Sequence, residues 1–429
     1  MCVVIGLATF LNYMDRQALS VTLPELKRNY NLQERRIGWI EWSFGFAFAA
    51  GAILFGFLAD RFGPRRLYPV VLVGWSLAGI ATAFAGNAEA VGWLEGAGDE
   101  PGAGTFRWLL FWRTVLGLFE AGHWPCALIT ARQILTLKDR PLGNGILQSG
   151  AATASIVIPI YAEFVEGLGG SWQVTFLTIG ITGLLWVPIW LVLVRPGDLD
   201  DRPEIHGAPP ATRDELDAEL DEAGVPPAPS PPPPESTSQP SLVRRIATCA
   251  IIVICLNISW QFLRAWLTLL LDFNGYDRLE ARVATSGYFV SAEIGCLLVG
   301  LVVRALVKRG HTVHGARVRA FAGYTLLTAT AAIVPFVGSG PLMIAGLMIA
   351  GAGILGLHPI YYSFNQELPH RRMGVISGML AASGWIASSI FQILIGEDIQ
   401  DSKSYDVGLL IAGLAPSVAL VALLVLWRR

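Results

Sequence analysis

Four charged residues stand inside stretches of sequence that are otherwise apolar. Asp15 and Arg16 are neighbours in the first such stretch, and Arg113 and Glu120 lie seven residues apart in a later one. Seven residues are close to two helical turns, so Arg113 and Glu120 share one helix face about 10 Å apart. Arginine binds a carboxylate through two parallel hydrogen bonds, and a buried carboxyl favours its neutral, protonated form. Two acids with two arginines therefore predict the binding of an anion together with protons.

A structural role is the alternative for these four residues. A charged residue at the centre of a membrane helix costs about 2.5 to 3.5 kcal/mol, so such residues are rare and mark function. They could also form buried ion pairs that only fix helix packing. Buried pairs are weak contributors to stability because desolvation offsets their attraction. The sequence favours the chemical role and leaves the structural one open.

The composition identifies the elements that must position these charges. Of 429 residues 53% are hydrophobic and only 15% are charged, against roughly 25% charged in a soluble domain. A water-soluble globular protein is therefore excluded. The formal net charge of -2 indicates no nucleic-acid partner. Five cysteines, odd in number and without ligand spacing, predict neither a disulfide framework nor a metal site.

Apolar runs of about 20 residues, the length that crosses a bilayer as a helix, recur along the whole chain. They predict an all-α integral membrane protein with twelve transmembrane helices. The predicted spans are residues 2–23, 37–59, 67–86, 106–130, 142–164, 173–194, 246–271, 282–304, 319–337, 342–364, 373–395 and 407–427.

Lys and Arg are unevenly distributed between the spans. The loops after spans two, four, six, eight and ten are richer in them than the alternate loops. Because cytoplasmic loops retain positive charge during insertion, both termini are predicted to face the cytoplasm. The charged and Pro-rich residues 195–245 predict a mobile linker. It separates two six-helix bundles, residues 1–194 and 246–429.

The loop after the second span carries a spaced motif. It runs from Gly56 to Arg66 and resembles the G-x-x-x-D-R-x-G-x-R-R signature of the major facilitator superfamily, through Gly56, Asp60, Arg61, Gly63, Arg65 and Arg66. Gly56 permits close helix approach, and the arginines satisfy the charge rule for cytoplasmic loops. The resemblance implies that Asp60 and Arg61 belong to a gate that shuts the cytoplasmic side.

Further segments resemble the anion:cation symporter family within that superfamily, especially its hexuronate and galactonate branches. They are residues 12–16, 113–122, 201–206, 292–296 and 378–388. The resemblance implies that Asp15 and Glu120 bind protons, that Arg16 contacts the substrate carboxylate and that Arg113 pairs with the acids. It also implies that Tyr13 lines the cavity.

Two positions depart from the sugar-acid branches. Phe48 replaces a usual tyrosine in span two, and Gln148 replaces a frequent asparagine in span five. Both are predicted to line the substrate site, as is Trp266 in span seven. Arg264 is expected to pair with Glu293 in the next span, or else to supply a substrate contact. Glu41 is expected to reach the membrane interface.

These observations predict a proton-coupled symporter that imports an organic anion, a hexuronate or aldonate, by alternating access. Its partners would be that small anion and the lipid bilayer, with protons as the coupling ion, no other cofactor and no metal. A monomer in the inner membrane is expected. A uniporter or efflux transporter is the alternative on the same fold, and a non-transporting nutrient sensor is another. An enzyme is not expected, because no nucleophile motif or catalytic cluster occurs.

Overall fold

The computed structural model describes residues 2–134, 140–195, 197–199, 242–365, 368 and 373–427. These residues form long helices joined by short turns, and the first six helices correspond to the first six predicted spans. They are α1 (Cys2–Tyr30), α2 (Glu34–Phe62), α3 (Pro64–Thr82), α4 (Ala103–Glu120, continued after a turn by His123–Ile134), α5 (Arg140–Gly167) and α6 (Trp172–Leu193).

The remaining six helices correspond to the last six predicted spans. They are α7 (Leu242–Phe273), α8 (Arg278–Lys308), α9 (Val313–Thr328, continued by short 3-10 turns to Phe336), α10 (Pro341–Asn365), α11 (Met373–Ser402) and α12 (Asp406–Leu426). We call α1–α6 the first half and α7–α12 the second half. Most of the predicted linker lies outside the described residues.

Eight of these helices are long and apolar enough, by length and composition alone, to cross a membrane. The other four are α1, α3, α4 and α5. Helices α1 and α4 are the ones that contain Asp15, Arg16, Arg113 and Glu120. The charges that make these two helices weaker candidates are therefore the same charges that suggest a function.

Helix α8 shows how the bundle meets its surroundings. Val283, Val290, Ile294, Leu297 and Leu301 are between 39% and 68% exposed and recur at helical spacing along one stripe. Such a continuous apolar stripe is unfavourable in water. Contact with the hydrocarbon core of a bilayer removes this unfavourable exposure to water, as expected for a multi-pass membrane protein.

The two halves touch most closely where α2 meets α11. A Cβ atom built on Gly38 would lie 2.4 Å from the carbonyl oxygen of Gln392, and one on Gly396 would lie 2.7 Å from that of Glu34. Only glycine fits at such distances. Further along the same helices, Cβ atoms on Gly56 and Gly378 would meet nothing within 4 Å. The helices therefore touch at one end, the closed end, and diverge at the other, the open end.

Ion pairs between the two halves lie at the closed end throughout the described part of the chain. Arg28 of α1 pairs with Asp272 of α7 at 2.9 Å, and Arg35 of α2 faces Asp401 of α11 at 3.6 Å. Both pairs are partly exposed, so each contributes little by itself.

A buried ion-pair cluster joins α5 to α8 at the same end. Arg282 Nη1 lies 2.7 Å from Glu163 Oε2, and Arg278 Nε lies 3.4 Å from the same oxygen. Glu166 pairs with both arginines. The side chains of Arg282 and Glu166 are 3% and 5% exposed, so the cluster is largely removed from water.

Candidate functional site

Arg16 lies at the centre of the first half and is 4% exposed. Its Nε donates to Glu120 Oε2 at 2.8 Å, and its Nη2 donates to Asn12 Oδ1 at 3.2 Å. The first bond joins α1 to α4, since Glu120 is the last residue before the turn that interrupts α4. Glu120 is therefore the counter-ion of Arg16 in this structure.

Four aromatic rings surround the guanidinium group of Arg16. Its central carbon lies 4.7 Å from the ring centroid of Tyr13, 4.8 Å from Phe48, 5.6 Å from Phe44 and 5.7 Å from Trp385. Such rings hold a cation through their π faces without neutralising it. Trp385 belongs to α11, so the second half completes this aromatic cage, and the predicted site residues Tyr13 and Phe48 form part of it.

Asp15 is 1% exposed and points away from Arg16 toward α3. A Cβ atom on Gly79 of α3 would lie 2.5 Å from Asp15 Oδ2, so glycine makes room for the carboxyl. Neither carboxyl oxygen has a hydrogen-bond partner among the described residues. An ionised carboxylate is costly in such surroundings, so Asp15 can hold a proton without giving up an ion pair.

Arg113 is fully buried on α4, and its guanidinium carbon lies 4.7 Å from the ring centroid of Phe44. None of its three nitrogen atoms makes a hydrogen bond to a described residue. The carboxylate that reaches it is Glu41, with Nη2 3.8 Å from Oε1. Glu120, which the family resemblance assigns as a partner of Arg113, is instead paired with Arg16 in this structure.

Glu41 and Arg264 form an ion pair that the sequence reasoning missed. Glu41 of α2 is 2% exposed, so the expectation that it reaches the interface is wrong. Arg264 of α7 donates through Nη2 to Glu41 and through Nε to Gln261. The expected pairing of Arg264 with Glu293 is therefore also wrong. Both residues were recognised as charges within apolar runs, but their pairing depends on how the halves meet.

Trp266, another predicted substrate residue, lies outside the cage. Trp266 is fully buried, and its indole N–H donates to Gln392 Oε1 of α11 at 2.6 Å. The Gln392 amide in turn donates to the carbonyl oxygen of Gln261 at 3.0 Å. Trp266 thus contributes to the contact between α7 and α11. Gln148 lies in α5, and its side chain is outside the described part of the structure.

The motif residues lie at the open end. Gly63 alone joins α2 to α3, with a φ of 70° that favours glycine. Arg65 Nε donates to the carbonyl oxygen of Val194 at 3.0 Å and so ties α3 to the end of α6. Asp60, Arg61 and Arg66 are exposed. Asp60 and Arg61 form no ion pair with a residue that the structure describes, so the motif does not bridge the two halves here.

The chain was compared with known protein families and structures. It matches the family model of the Major Facilitator Superfamily over residues 5–392. A similar solved structure is that of the xylose transporter XylE from E. coli in an inward open conformation. All of the present chain aligns with 95% of the XylE chain, with a TM-score of 0.71 and 13% identity. That likeness supports the fold alone.

Several characterised or named transporters are similar over nearly their whole length. The probable galactarate/D-glucarate transporter GudP of Bacillus subtilis is 25% identical, with 98% of this chain and 90% of that protein aligned. The probable sulfoacetate transporter SauU of Cupriavidus necator is 24% identical (98% and 91% aligned). The D-galactonate transporter of Escherichia coli is 24% identical (92% and 87% aligned).

Proposed function

We propose that this chain, which belongs to the major facilitator superfamily, is a proton-coupled symporter that imports a sugar acid by alternating access. The all-α membrane fold and the family expected from the sequence are confirmed, and the similar proteins are transporters rather than enzymes. Coupling to protons, the substrate and the orientation in the membrane are the parts that we propose.

The pairing of Arg16 with Glu120 is the observation on which the proposal depends. A guanidinium group whose counter-ion is a protonatable carboxylate can exchange that partner for a substrate carboxylate. Protonation of Glu120 removes its charge and leaves Arg16 free to bind the incoming anion. Release of the anion lets Glu120 lose its proton and pair with Arg16 again. Proton and anion binding are thereby linked at one arginine.

Asp15 supplies the second proposed proton site. It is next to Arg16 in sequence, is buried, and has no hydrogen-bond partner among the described residues. Arg113 lies within electrostatic range of both acids. Its fixed positive charge would limit how long either acid stays protonated once the anion has left.

The distribution of Lys and Arg supports an orientation. The open end carries the basic motif of residues 56–66, and the charge rule for loops supports a cytoplasmic location for that end. The closed end then faces outward, both termini face the cytoplasm, and the structure is an inward-facing state. In the opposite state Asp60 and Arg61 would close the cytoplasmic side. We propose the inner membrane as the location and a monomer as the working unit.

The substrates in the names of the similar proteins support a small organic anion, and a sugar acid in most cases. A hexuronate or an aldonate remains our proposal. Phe48 provides no hydroxyl group in the cage, so the substrate's own hydroxyls must be bound by other residues.

Uptake into proteoliposomes tests the proposal. The acids to compare are hexuronates, aldonates, galactarate and sulfoacetate, each with and without an inward proton gradient. We expect gradient-driven accumulation of at least one sugar acid. A uniporter would equilibrate the acid without accumulating it, and a sensor would bind it without flux. Failure of every acid would contradict the proposal.

Replacement Glu120→Gln tests the coupling itself. Because glutamine neither ionises nor pairs with Arg16, we expect gradient-driven accumulation to disappear. Glu163→Gln, at the closed end and outside the cage, is the matched control and should retain accumulation. Accumulation that survives Glu120→Gln undiminished would show that Glu120 is not a coupling residue.

A further inference from the structure

Glu41 occupies an unusual place between the two halves. It lies on α2, two turns into the helix from the closed end, and it is 2% exposed. Its carboxylate binds Arg264 of α7, so the pair crosses from the first half to the second. Arg264 is itself only 4% exposed. The contact is therefore a buried ion pair between parts that must separate when the closed end opens.

One carboxylate serves two arginines at this position. Glu41 Oε2 accepts from Arg264, and its Oε1 lies 3.8 Å from Arg113 Nη2. Arg264 Nη1 and all three Arg113 nitrogens have no hydrogen-bond partner among the described residues. Glu41, Arg113 and Arg264 carry a net charge of +1 when all are ionised, and the neighbouring Asp15, Arg16 and Glu120 bring the total to zero. Protonation of Asp15 or Glu120, as proposed above, leaves this cluster positive and with unused guanidinium N–H donors, so it can then accept a further anion.

We propose that Glu41 is an internal counter-anion that the anionic group of the substrate replaces during transport. While the closed end is shut, Glu41 holds Arg264 and Arg113. Opening that end draws α7 away from α2 and parts Arg264 from Glu41. Since a buried charge without its partner is strongly unfavourable, Arg264 then takes the substrate anion in place of Glu41. The inference rests on the proposed function and adds a residue that the coupling scheme does not use.

The replacement has a kinetic consequence. A carrier that returns without substrate passes through a state in which both ends are shut, and Glu41 must then compensate its buried arginines. A carrier that moves loaded in both directions has the substrate anion in that place during every passage from one side to the other. Loss of the Glu41 charge should therefore slow net transport, which includes the unloaded return, far more than exchange, which does not.

The test compares net uptake with exchange for Glu41→Gln in proteoliposomes, using the panel acid that the wild-type protein carries fastest. We expect net uptake to fall about tenfold or more, while exchange stays within about threefold of wild type, because only the unloaded return has uncompensated buried arginines. The apparent KM for exchange should fall, since an internal competitor is gone. Glu41→Asp should restore part of the net rate.

Glu163→Gln is the matched control, because it removes another carboxylate that pairs across the halves while Glu166 still holds both arginines. It should change net uptake and exchange by the same factor. An equal loss of both modes in Glu41→Gln would show a packing role and overturn the inference. Wild-type protein that carries no panel acid in either mode would instead overturn the proposed function, and this inference with it.

Discussion

The closed and open ends of the molecule are held in different ways. At the closed end, buried and exposed ion pairs connect α1, α2 and α5 of the first half to α7, α8 and α11 of the second. At the open end, the charged motif residues Asp60 and Arg61 are exposed and bridge to no described residue of the second half. In the described part of the chain, ion pairs join the two halves at the closed end only.

In the proposed alternating-access cycle, ion pairs at one end of the molecule must be exchanged for ion pairs at the other. Each ion pair at the closed end joins two halves that must separate when that end opens, so the pair stabilises the state seen here. Motif residues that lack partners in this state can gain them in the other. In that cycle the ion pairs of the closed end and the motif residues of the open end act in opposition. The balance between them determines which end is open.

Arg282→Gln should have the largest effect on this balance. Removing one partner of a buried ion pair costs about 3 to 5 kcal/mol. Glu166 is only 5% exposed, and Arg278 still contacts both acids after the loss of Arg282, so we expect a cost at the lower end of that range. The closed end should open more often. The measurement is the reaction of Ser286→Cys, a buried position that contacts α5, with a membrane-impermeant thiol reagent. We expect the rate to rise about a hundredfold.

Asp401→Asn is the control for that substitution. Asp401 also pairs across the halves, but its side chain is 73% exposed and lies 3.6 Å from Arg35. An exposed pair contributes at most about 1 kcal/mol, so labelling should change little. Similar labelling in the two variants would contradict the view that burial, and not the number of ion pairs, holds the closed end.

Asp60→Asn should act in the opposite direction and more weakly. Asp60 has no ion-pair partner among the described residues here, so its loss leaves this state unchanged. It removes a contact that the family resemblance assigns to the opposite state. We expect Ser286→Cys labelling to fall about twofold to fivefold, the range of an exposed interaction. Increased labelling would mean that Asp60 stabilises the state seen here instead.

Much of the fold could be predicted from the sequence, because the length and composition of a membrane helix are set by the bilayer. The charged residues of α1 and α4 were also identifiable, since a charge within an apolar run is costly and therefore rare. Asp15, Arg16, Arg113 and Glu120 were found in this way, and the structure places them in contacting helices of the first half.

Partners between the halves could not be predicted. Helical spacing indicates which residues share a face on one helix, but not which helix of the other half that face meets. Glu41 and Arg264 were both recognised as charges, yet their pairing follows from the contact of α2 with α7 and α11. The hydrogen-bond partner of Trp266 could not be predicted either. Apolar residues lie on every face of its helix, so no pattern shows that its N–H points toward Gln392.

The smallest predicted effect concerns Asp99, in the loop that joins α3 to α4 at the closed end. Arg107 donates to both of its carboxyl oxygens, at 2.5 and 3.0 Å, and lowers its pKa to about 2. This pair lies within the first half, so it should stabilise that half without affecting the balance between ends. Because the pKa is lower in the folded protein, the stabilisation is complete above the ordinary pKa of 3.8 and is lost as the pH falls through about 2.

The melting temperature of Asp99→Asn in detergent should therefore lie slightly below that of wild type at pH 5 and approach it at pH 2.5, with Ser286→Cys labelling unchanged. A gap that stays constant with pH would show that the ion pair contributes nothing, and altered labelling would show that this loop also takes part in holding the closed end.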